Sequence, residues 1–87
     1  MKLDWDARKA VSNLRKHGVS FQEAGTVFGD PMALTFDDPD HSTGESRFLT
    51  FGVSRTGKFL IVCHVERASD TRIISARKMN KHDEENL

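Results

Sequence analysis

Side chains able to do chemistry concentrate in one stretch of the chain, residues 58–78, which has the sequence KFLIVCHVERASDTRIISARK. Its apolar residues predict two strands joined by a short polar turn at residues 68–70. Its charged or titratable side chains near the strand ends are His64, Glu66, Arg67, Arg72 and Arg77. Histidine and glutamate can transfer protons, and arginine binds phosphate oxygens in pairs without losing its charge. The stretch therefore predicts proton transfer beside a bound anion.

Length and composition are those of one ordinary folded domain. The chain has 87 residues, of which 37% are hydrophobic and 30% are charged, a balance too apolar for a disordered chain. We expect a single domain over residues 1–87. No apolar run approaches the ~18 residues of a membrane span, and no signal-peptide pattern opens the chain. The lone cysteine, Cys63, has no internal disulfide partner, so we expect a cytoplasmic protein without membrane contact.

Charge is unevenly distributed along the chain, although the formal net charge is zero. Residues 47–82 hold eight basic and two acidic side chains, whereas residues 29–46 hold five acidic side chains and no basic one. A basic region of this kind can bind a polyanion locally without a basic average. A solvated surface of mixed charge explains the same distribution equally well. Charge alone does not choose between these two explanations.

The N-terminal part of the chain predicts a short edge strand and a first helix. Residues 2–5 suit the strand. Asp6 occupies the N-cap position of a helix whose apolar residues recur at helical spacing as far as residue 14. The helix is expected to end near His17, because Gly18 suits the left-handed conformation that follows many helices.

A capping box predicts the start of a second helix directly afterwards. Ser20 stands at its N-cap position and Glu23 three residues later, the spacing at which each side chain can bond the backbone of the other. Apolar residues up to Phe28 give this helix one face for a core. The helix is expected to stop at residues 29–31, which are Gly-Asp-Pro.

Four strands and a short helix are predicted for the rest of the chain. The strands are residues 32–36, 47–54, 58–66 and 71–77, and the helix lies within residues 79–87. Residues 58–66 are apolar on both faces, so this strand is expected to be central. The order predicts an α+β fold, a small antiparallel sheet with two N-terminal helices packed on one face. The aromatic residues expected in the core are Trp5, Phe21, Phe28, Phe48, Phe51 and Phe59.

Short motifs occur in the order and at the spacings of a known protein family. They are Trp5-Asp6, residues 13–21 (NLRKHGVSF), Ala24, Val27-Phe28, Asp30-Pro31, Asp40-His41-Ser42, Glu45, Arg47, Gly52-Val53-Ser54, residues 64–67 (HVER) and residues 72–78 (RIISARK). This ordered set closely resembles the BrnT family of bacterial toxins over essentially the whole chain. The resemblance implies a RelE-like fold and a ribonuclease that cleaves RNA and inhibits translation. It also implies a partner antitoxin, BrnA, whose ribbon-helix-helix domain binds DNA, so that the toxin reaches DNA only through its partner.

The C-terminal end departs from the pattern that the family usually shows. Family members usually continue past residue 78 into a helix with more basic residues and a tyrosine near position 87. Here the tail carries Asp83, Glu84 and Glu85, and the chain holds no tyrosine. Three interpretations stay open: an active ribonuclease with a shortened helix, a catalytically impaired binding module that retains antitoxin binding, and a DNA-associated co-repressor that acts only through its partner.

RNA cleavage by 2′-hydroxyl attack without a metal needs a proton acceptor, a group that stabilises the phosphate and a proton donor. Arg67 and Arg77 match motif positions of the family and are the candidates for phosphate stabilisation. Glu66 is the candidate general base and His64 the candidate proton shuttle, although a cross-strand salt bridge and a buried core histidine explain them as well. The candidates for RNA binding are Lys16, His17, Arg47, Arg72 and Lys78. No cofactor is expected, and His41 beside loop aspartates lacks the spacing of a metal site.

Alternation along the predicted strands divides these candidates between the two faces of the sheet. A three-residue turn at residues 55–57 places Arg47 opposite Val65. A three-residue turn at residues 68–70 places Glu66 opposite Arg72 and His64 opposite Ile74. The resulting sets are Arg47, Arg67 and Arg77 on one face and His64, Glu66 and Arg72 on the other.

Overall fold

The computed structural model describes residues 2–39 and 46–86. Its elements in chain order are β1 (Leu3–Trp5), α1 (Ala7–His17), α2 (Phe21–Gly25), a 3₁₀ helix (Thr26–Gly29), β2 (Leu34–Asp37), β3 (Arg47–Val53), β4 (Phe59–Glu66), β5 (Thr71–Lys78) and α3 (Lys81–Glu85). The motif residues Asp40, His41, Ser42 and Glu45 lie outside the described residues. Within the described ranges, no helix has both the length and the apolar character that crossing a membrane requires.

Five strands form one mixed sheet in the order β1-β5-β4-β3-β2. β4 is central, as its apolar sequence predicts. It pairs antiparallel with β3 and β5, but β1 runs parallel to β5. The prediction of a wholly antiparallel sheet is therefore wrong at this edge. A tight hairpin imposes antiparallel pairing on strands that follow one another, whereas β1 and β5 are separated by most of the chain and escape that constraint.

Short polar side chains start the two N-terminal helices at the predicted positions. Asp6 Oδ1 accepts hydrogen bonds from two backbone N–H groups in the first turn of α1. Ser20 Oγ accepts one from the N–H of Glu23 at 3.0 Å. Gly18 follows α1 with a φ of 70°, a conformation that glycine adopts without strain. α2 is shorter than predicted, because the chain tightens into the 3₁₀ helix after Gly25.

The capping-box pattern predicts that the carboxylate of Glu23 bonds back to the start of its own helix. In the structure this carboxylate binds the β3–β4 hairpin instead. Ser54 Oγ donates a hydrogen bond to Glu23 Oε2 at 2.7 Å, and Thr56 Oγ1 donates to the same oxygen. Lys58 Nζ lies 3.5 Å from Oε1. The bond from Thr56, followed by that from Ser54, lowers the pKa of Glu23. These contacts fasten the hairpin to α2.

α2 and the 3₁₀ helix pack against the sheet and close the main hydrophobic core. The buried residues of this core are Val19, Phe21, Ala24, Val27, Leu60, Val62, Ile73 and Ala76. Trp5 of β1 packs edge-to-face on Phe21, with the ring centroids 6.0 Å apart. The core thus joins β1, β4 and β5 to the second helix, and Trp5 and Phe21 lie where the sequence predicts aromatic core residues.

The open face, as it is named here, is the face of the sheet away from α2. Pairing register and strand alternation assign to it Leu34, Phe36, Arg47, Leu49, Phe51, Val53, Phe59, Ile61, Cys63, Val65, Arg72, Ser75 and Arg77. Phe59 is 51% exposed there, so its prediction as a core residue is wrong. The alternation that buries Leu60 under α2 turns Phe59 to the other side.

A buried asparagine joins α1 to the sheet. Asn13 Nδ2 donates hydrogen bonds to the carbonyl oxygens of Ala76, at 2.8 Å, and of Val19, at 3.0 Å. Its Oδ1 accepts a bond from the N–H of Ala76 at 3.0 Å. The side chain therefore bonds the edge of β5 as a neighbouring strand would, beyond the end of β1. This contact brings the last turn of α1, with His17, next to Arg77.

Candidate functional site

The β4–β5 hairpin is one residue tighter than predicted. The backbone N–H of Arg67 donates a hydrogen bond at 2.9 Å to the carbonyl three residues later, which leaves a two-residue turn. Glu66 therefore faces Thr71, and Val65 faces Arg72. The predicted pairing of Glu66 with Arg72 is wrong for this reason. The first hairpin has the predicted register, with Arg47 opposite Val65.

A β-bulge further along the same hairpin decides which face its arginines occupy. His64 pairs with Ile73 but Cys63 pairs with Ser75, so that one extra residue is inserted in β5. The predicted pairing of His64 with the residue after Ile73 is therefore wrong. An insertion of one residue reverses the alternation beyond it. Arg72 and Arg77, which are five positions apart, consequently both belong to the open face, and the prediction that places Arg72 with His64 is wrong.

Arg47 and Arg72 lie on either side of Val65, one on each neighbour of β4. Two strand spacings separate them, about 10 Å. The Nε of Arg47 is buried without a hydrogen-bond partner among the described residues. Arg72 Nη1 is 3.5 Å from Asp4 Oδ2, an ion-pair distance, although the geometry makes no hydrogen bond. Arg67 follows β4 at the same end of the sheet. The structure thus places Arg47 and Arg72 at the same end of the open face.

Arg77 lies toward the other end of the open face, opposite Ile61. The four residues from Ile61 to Val65 correspond to about 13 Å along β4, and the six to Arg67 to about 20 Å. Arg67 and Arg77 therefore do not meet at one phosphate. Arg77 Nη1 donates hydrogen bonds to Asp83 Oδ2 at 2.9 Å and to its neighbour's carbonyl at 3.3 Å. This bond to Arg77 is the first cause that lowers the pKa of Asp83.

The two candidates at the end of α1 reach the same region of the sheet. His17 and Arg77 line one pocket on the open face, so the structure brings these two predicted residues together. Lys16 lines a neighbouring depression beside Ser75. Lys78, which pairs with Leu60, is exposed but belongs by alternation to the opposite face from Arg77.

His64 and Glu66 belong to a polar network on the side of the sheet that α2 covers. His64 is only 3% exposed. Its Nδ1 is 2.6 Å from Glu66 Oε2, and its Nε2 is 2.7 Å from Thr50 Oγ1. Because a carboxylate can only accept, Nδ1 carries the proton, and the neutral ring accepts at Nε2 from the threonine. Thr71 Oγ1 donates to the other carboxylate oxygen at 2.8 Å.

Two aromatic rings enclose the imidazole of this network. Phe28 lies edge-to-face with the His64 ring, with centroids 4.9 Å apart, and Phe48 stacks on it at 5.9 Å. Both ring nitrogens of His64 are therefore hydrogen-bonded within the protein, and its ring packs against two aromatic rings. The structure does not bring His64 together with the arginines of the open face, whereas Glu66, whose side chain is 44% exposed, lines a depression with Arg67.

Acidification from about pH 7.5 to about pH 5.5 should lower the free energy of unfolding through His64. Burial lowers the pKa of His64 from its ordinary value of 6.5, against the opposing effect of Glu66. The unfolded chain, whose histidine keeps the ordinary value, therefore takes up the proton first as the pH falls. The contribution of His64 to the free energy of unfolding is fully present above the pKa that this histidine has in the unfolded chain. It is lost as the pH falls through the lower pKa that His64 has in the folded protein.

Urea unfolding at both pH values measures this loss in the wild type, His64→Gln and the control His82→Gln, which changes an exposed histidine. We expect His64→Gln to be less stable at the higher pH but to lose little further stability on acidification. His82→Gln should behave as the wild type does. An equal acid-induced loss in the wild type and in His64→Gln would contradict the assignment.

Sequence reasoning missed Asp83 and Phe51 as parts of this region. The pattern Asn80-x-x-Asp83 does mark a helix start, and the structure shows a complete capping box there. Nothing local indicates that the same Asp83 oxygen also binds Arg77. Phe51 is predicted as a core residue, whereas it is only partly buried and lines the pocket with His17 and Arg77.

The comparisons with known proteins agree on one family. The sequence model of the family described as "Ribonuclease toxin, BrnT, of type II toxin-antitoxin system" matches residues 5–83. The crystal structure of the ribonuclease toxin BrnT from Brucella abortus is similar, with a TM-score of 0.71 over 93% of this chain and 99% of that chain. The two sequences are 23% identical, so this likeness shows a shared fold. No curated protein matches the sequence. Since the family match spans nearly all of the described residues, the chain belongs to the BrnT family of ribonuclease toxins of type II toxin–antitoxin systems.

Proposed function

We propose that this protein is an active toxin, a RelE-like endoribonuclease that acts in the cytoplasm, cleaves RNA and thereby inhibits translation. The observation that supports activity in this member is the set of arginines on the open face: Arg47 and Arg72 near one end and Arg77 toward the other. Arginines spread along one sheet face can hold the phosphates of a single RNA strand. Arg67, in the turn beyond β4, extends this row and takes a further phosphate.

The proposed reaction is attack of a ribose 2′-hydroxyl on the neighbouring phosphate, without a metal. The 2′-oxygen forms a bond to phosphorus while the bond to the 5′-oxygen breaks, which leaves a 2′,3′-cyclic phosphate and a 5′-hydroxyl. Arg77 stabilises the charge that develops on the phosphate oxygens. His17, which shares a pocket with Arg77, exchanges the proton with the reacting oxygens, a role that imidazole fills well.

His64 and Glu66 have a structural role in this proposal. Their mutual hydrogen bond and their bonds to Thr50 and Thr71 join β3, β4 and β5 beneath the helices. Both imidazole nitrogens are occupied and the ring is enclosed, so proton exchange with an RNA strand on the open face would require this network to break. The contacts thus favour the explanation of His64 as a buried core histidine over the shuttle.

A toxin of a type II system implies an antitoxin partner, and we propose that the partner is BrnA, a ribbon-helix-helix protein through which alone the toxin reaches DNA. The open face carries the apolar side chains that such a partner would cover. Leu34 and Phe36, on the edge strand β2, are 48% and 49% exposed. Exposed apolar residues grouped on one face are typical of protein interfaces. A partner seated there would also block the arginines.

Expression in bacteria without the antitoxin tests the proposed function. The wild type should arrest growth, and coexpressed antitoxin should relieve the arrest. The purified protein should cleave single-stranded RNA in the presence of EDTA and leave 2′,3′-cyclic phosphate ends. Harmless expression of folded, soluble protein that does not cleave RNA would reject the ribonuclease.

A second candidate function is a binding module that has kept the antitoxin surface but lost cleavage. The ion pair between Asp83 and Arg77 favours it, because a carboxylate of the acidic tail occupies part of the guanidinium. Antitoxin binding by a protein that neither arrests growth nor cleaves RNA would support this candidate.

A further inference from the structure

A small pocket lies on the open face between the pair Arg47 and Arg72 at one end and Arg77 toward the other. Its volume is about 120 Å³. The polar side chains that line it are His17, Cys63, Ser75 and Arg77, and the apolar ones include Leu49, Phe51 and Ile61. Arg47 and Arg72 lie beyond the residue pair Cys63 and Ser75, on the side away from Arg77. A strand of RNA that contacts Arg77 as well as Arg47 and Arg72 must therefore pass over this pocket.

We propose that this pocket, here named the base pocket, binds a single nucleobase of the RNA substrate while Arg77 holds the adjoining phosphate. The inference rests on the proposed ribonuclease function and names the part of the substrate that the site recognises. Sequence preference of the toxin then depends on which base this pocket accepts.

The dimensions and lining of the base pocket suit one flat ring. Pockets for drug-sized ligands measure about 300–1,000 Å³, so this one is too small for a free metabolite of that size or for a peptide segment. Proteins recognise single-stranded RNA by stacking splayed-out bases on aromatic side chains and by hydrogen bonds to the base edges. Phe51 supplies an aromatic ring, and Ser75 supplies a hydrogen-bonding hydroxyl group.

Arg77 gives one side of the base pocket a positive charge that can bind an anionic oxygen, whereas the Asp38 carboxylate lies 3.7 Å from Cys63 Sγ. Arg77 Nη1 already donates a hydrogen bond to the carboxylate of Asp83, which shows that its guanidinium can bind an anionic oxygen at this position. The other face of an arginine fork stays able to bind a second oxygen. Burial, and then the charge of Asp38, raises the pKa of Cys63. The thiol is therefore protonated near neutral pH and places no negative charge inside the pocket.

An antitoxin side chain is the alternative occupant, but the most exposed apolar side chains of the open face lie outside the pocket. The strongly exposed apolar side chains of the open face are on β2 and at the start of β4, with Leu34, Phe36 and Phe59 about half exposed. None of these three lines the base pocket, where Phe51 is only partly exposed. The apolar surface suited to a protein partner thus lies beside the pocket, whereas the pocket itself adjoins Arg77.

Binding of an uncleavable RNA analogue tests the base pocket. The probe is a short single-stranded oligonucleotide with 2′-O-methyl groups throughout, which blocks the 2′-hydroxyl attack. A set of such oligonucleotides, each lacking the base at one position, is titrated by fluorescence anisotropy against the wild type and Phe51→Leu. The matched control is Phe59→Leu, which changes an open-face phenylalanine outside the pocket in the same way. Circular dichroism and urea unfolding verify that all three proteins are folded.

We expect Phe51→Leu to bind the intact oligonucleotide at least about fivefold more weakly than the wild type, because one stacking contact is lost. Phe59→Leu should bind as the wild type does. One abasic position should weaken binding to the wild type and to Phe59→Leu, but should add little to the effect of Phe51→Leu. This coincidence would identify the base that Phe51 contacts.

The outcomes separate failure of the base pocket from failure of the proposed function. A wild type that cleaves RNA, together with a Phe51→Leu protein of unchanged affinity, overturns the base pocket alone. Equal weakening by both leucine substitutions also overturns it, since recognition would then be spread over the face. Loss of antitoxin binding in Phe51→Leu with unchanged RNA binding would assign the pocket to the protein partner. A wild type that neither binds nor cleaves RNA overturns both proposals.

Discussion

Arg77→Ala should slow RNA cleavage by about 10²-fold, the usual cost of removing one group that stabilises charge in the transition state. The guanidinium is half exposed and its ion pair with Asp83 lies at the surface, so the fold should lose little stability. Arg77→Lys keeps the charge but not the paired donors, and should recover only part of the rate. Cleavage rates at saturating RNA, measured beside growth arrest in cells, provide the readout.

Arg55→Ala is the matched control, because Arg55 is an exposed arginine in the β3–β4 hairpin, away from the open face. It should cleave RNA as the wild type does. The reciprocal change Asp83→Asn removes the ion pair with Arg77 and should raise the affinity for RNA. Glu84→Gln, which removes a negative charge one residue later, should raise this affinity less. Full activity of a folded Arg77→Ala protein would exclude this residue from catalysis.

Asn13→Ala should lower the free energy of unfolding by about 3 kcal/mol. The change leaves three buried backbone groups without their partner: the N–H and carbonyl of Ala76 and the carbonyl of Val19. Small domains are stable by only about 5–15 kcal/mol in total, so this is a large part of the stability. Urea unfolding followed by circular dichroism measures the change.

Ser12→Ala, one residue earlier in α1, is the control and should change stability by less than about 1 kcal/mol. Asn13→Asp should be as damaging as Asn13→Ala or more so, because a carboxylate accepts from the N–H of Ala76 but cannot donate to the two carbonyls. If Asn13→Ala were as stable as Ser12→Ala, the asparagine would not be what joins α1 to β5. Reduced RNA cleavage would accompany the loss, since the same contact places His17 beside Arg77.

Local sequence was enough to place the elements and several of the contacts that start or end them. Asp6 and Ser20 start α1 and α2 where their side chains can cap them, and Gly18 follows α1 in the left-handed conformation. β4 is central, as its apolar residues on both faces indicate. These features depend on residues within about one turn or one strand of each other, so a short window contains their physical cause.

Pairing between strands was harder to predict, because a difference of one residue reverses the faces. The bond between Arg67 and the carbonyl of Asp70 shortens the turn, and the bulge at Cys63 inserts a residue in β5. The shorter turn places Arg72 on the open face and leaves Glu66 with Thr71, and the bulge places Arg77 on the open face as well. No local pattern around these residues distinguishes a two-residue turn from a three-residue one.

The sequence by itself determined the set of helices and strands, the central strand and, through its ordered motifs, the likeness to BrnT toxins. Only the tertiary structure decided which charged residues share a surface. It buries His64 on the side of the sheet away from the arginines of the open face, and it joins His17 to Arg77 across sixty positions of sequence. The physical reason is that capping and periodicity act between near neighbours, whereas Asn13, the bulge and the parallel edge strand act between segments that meet only after folding.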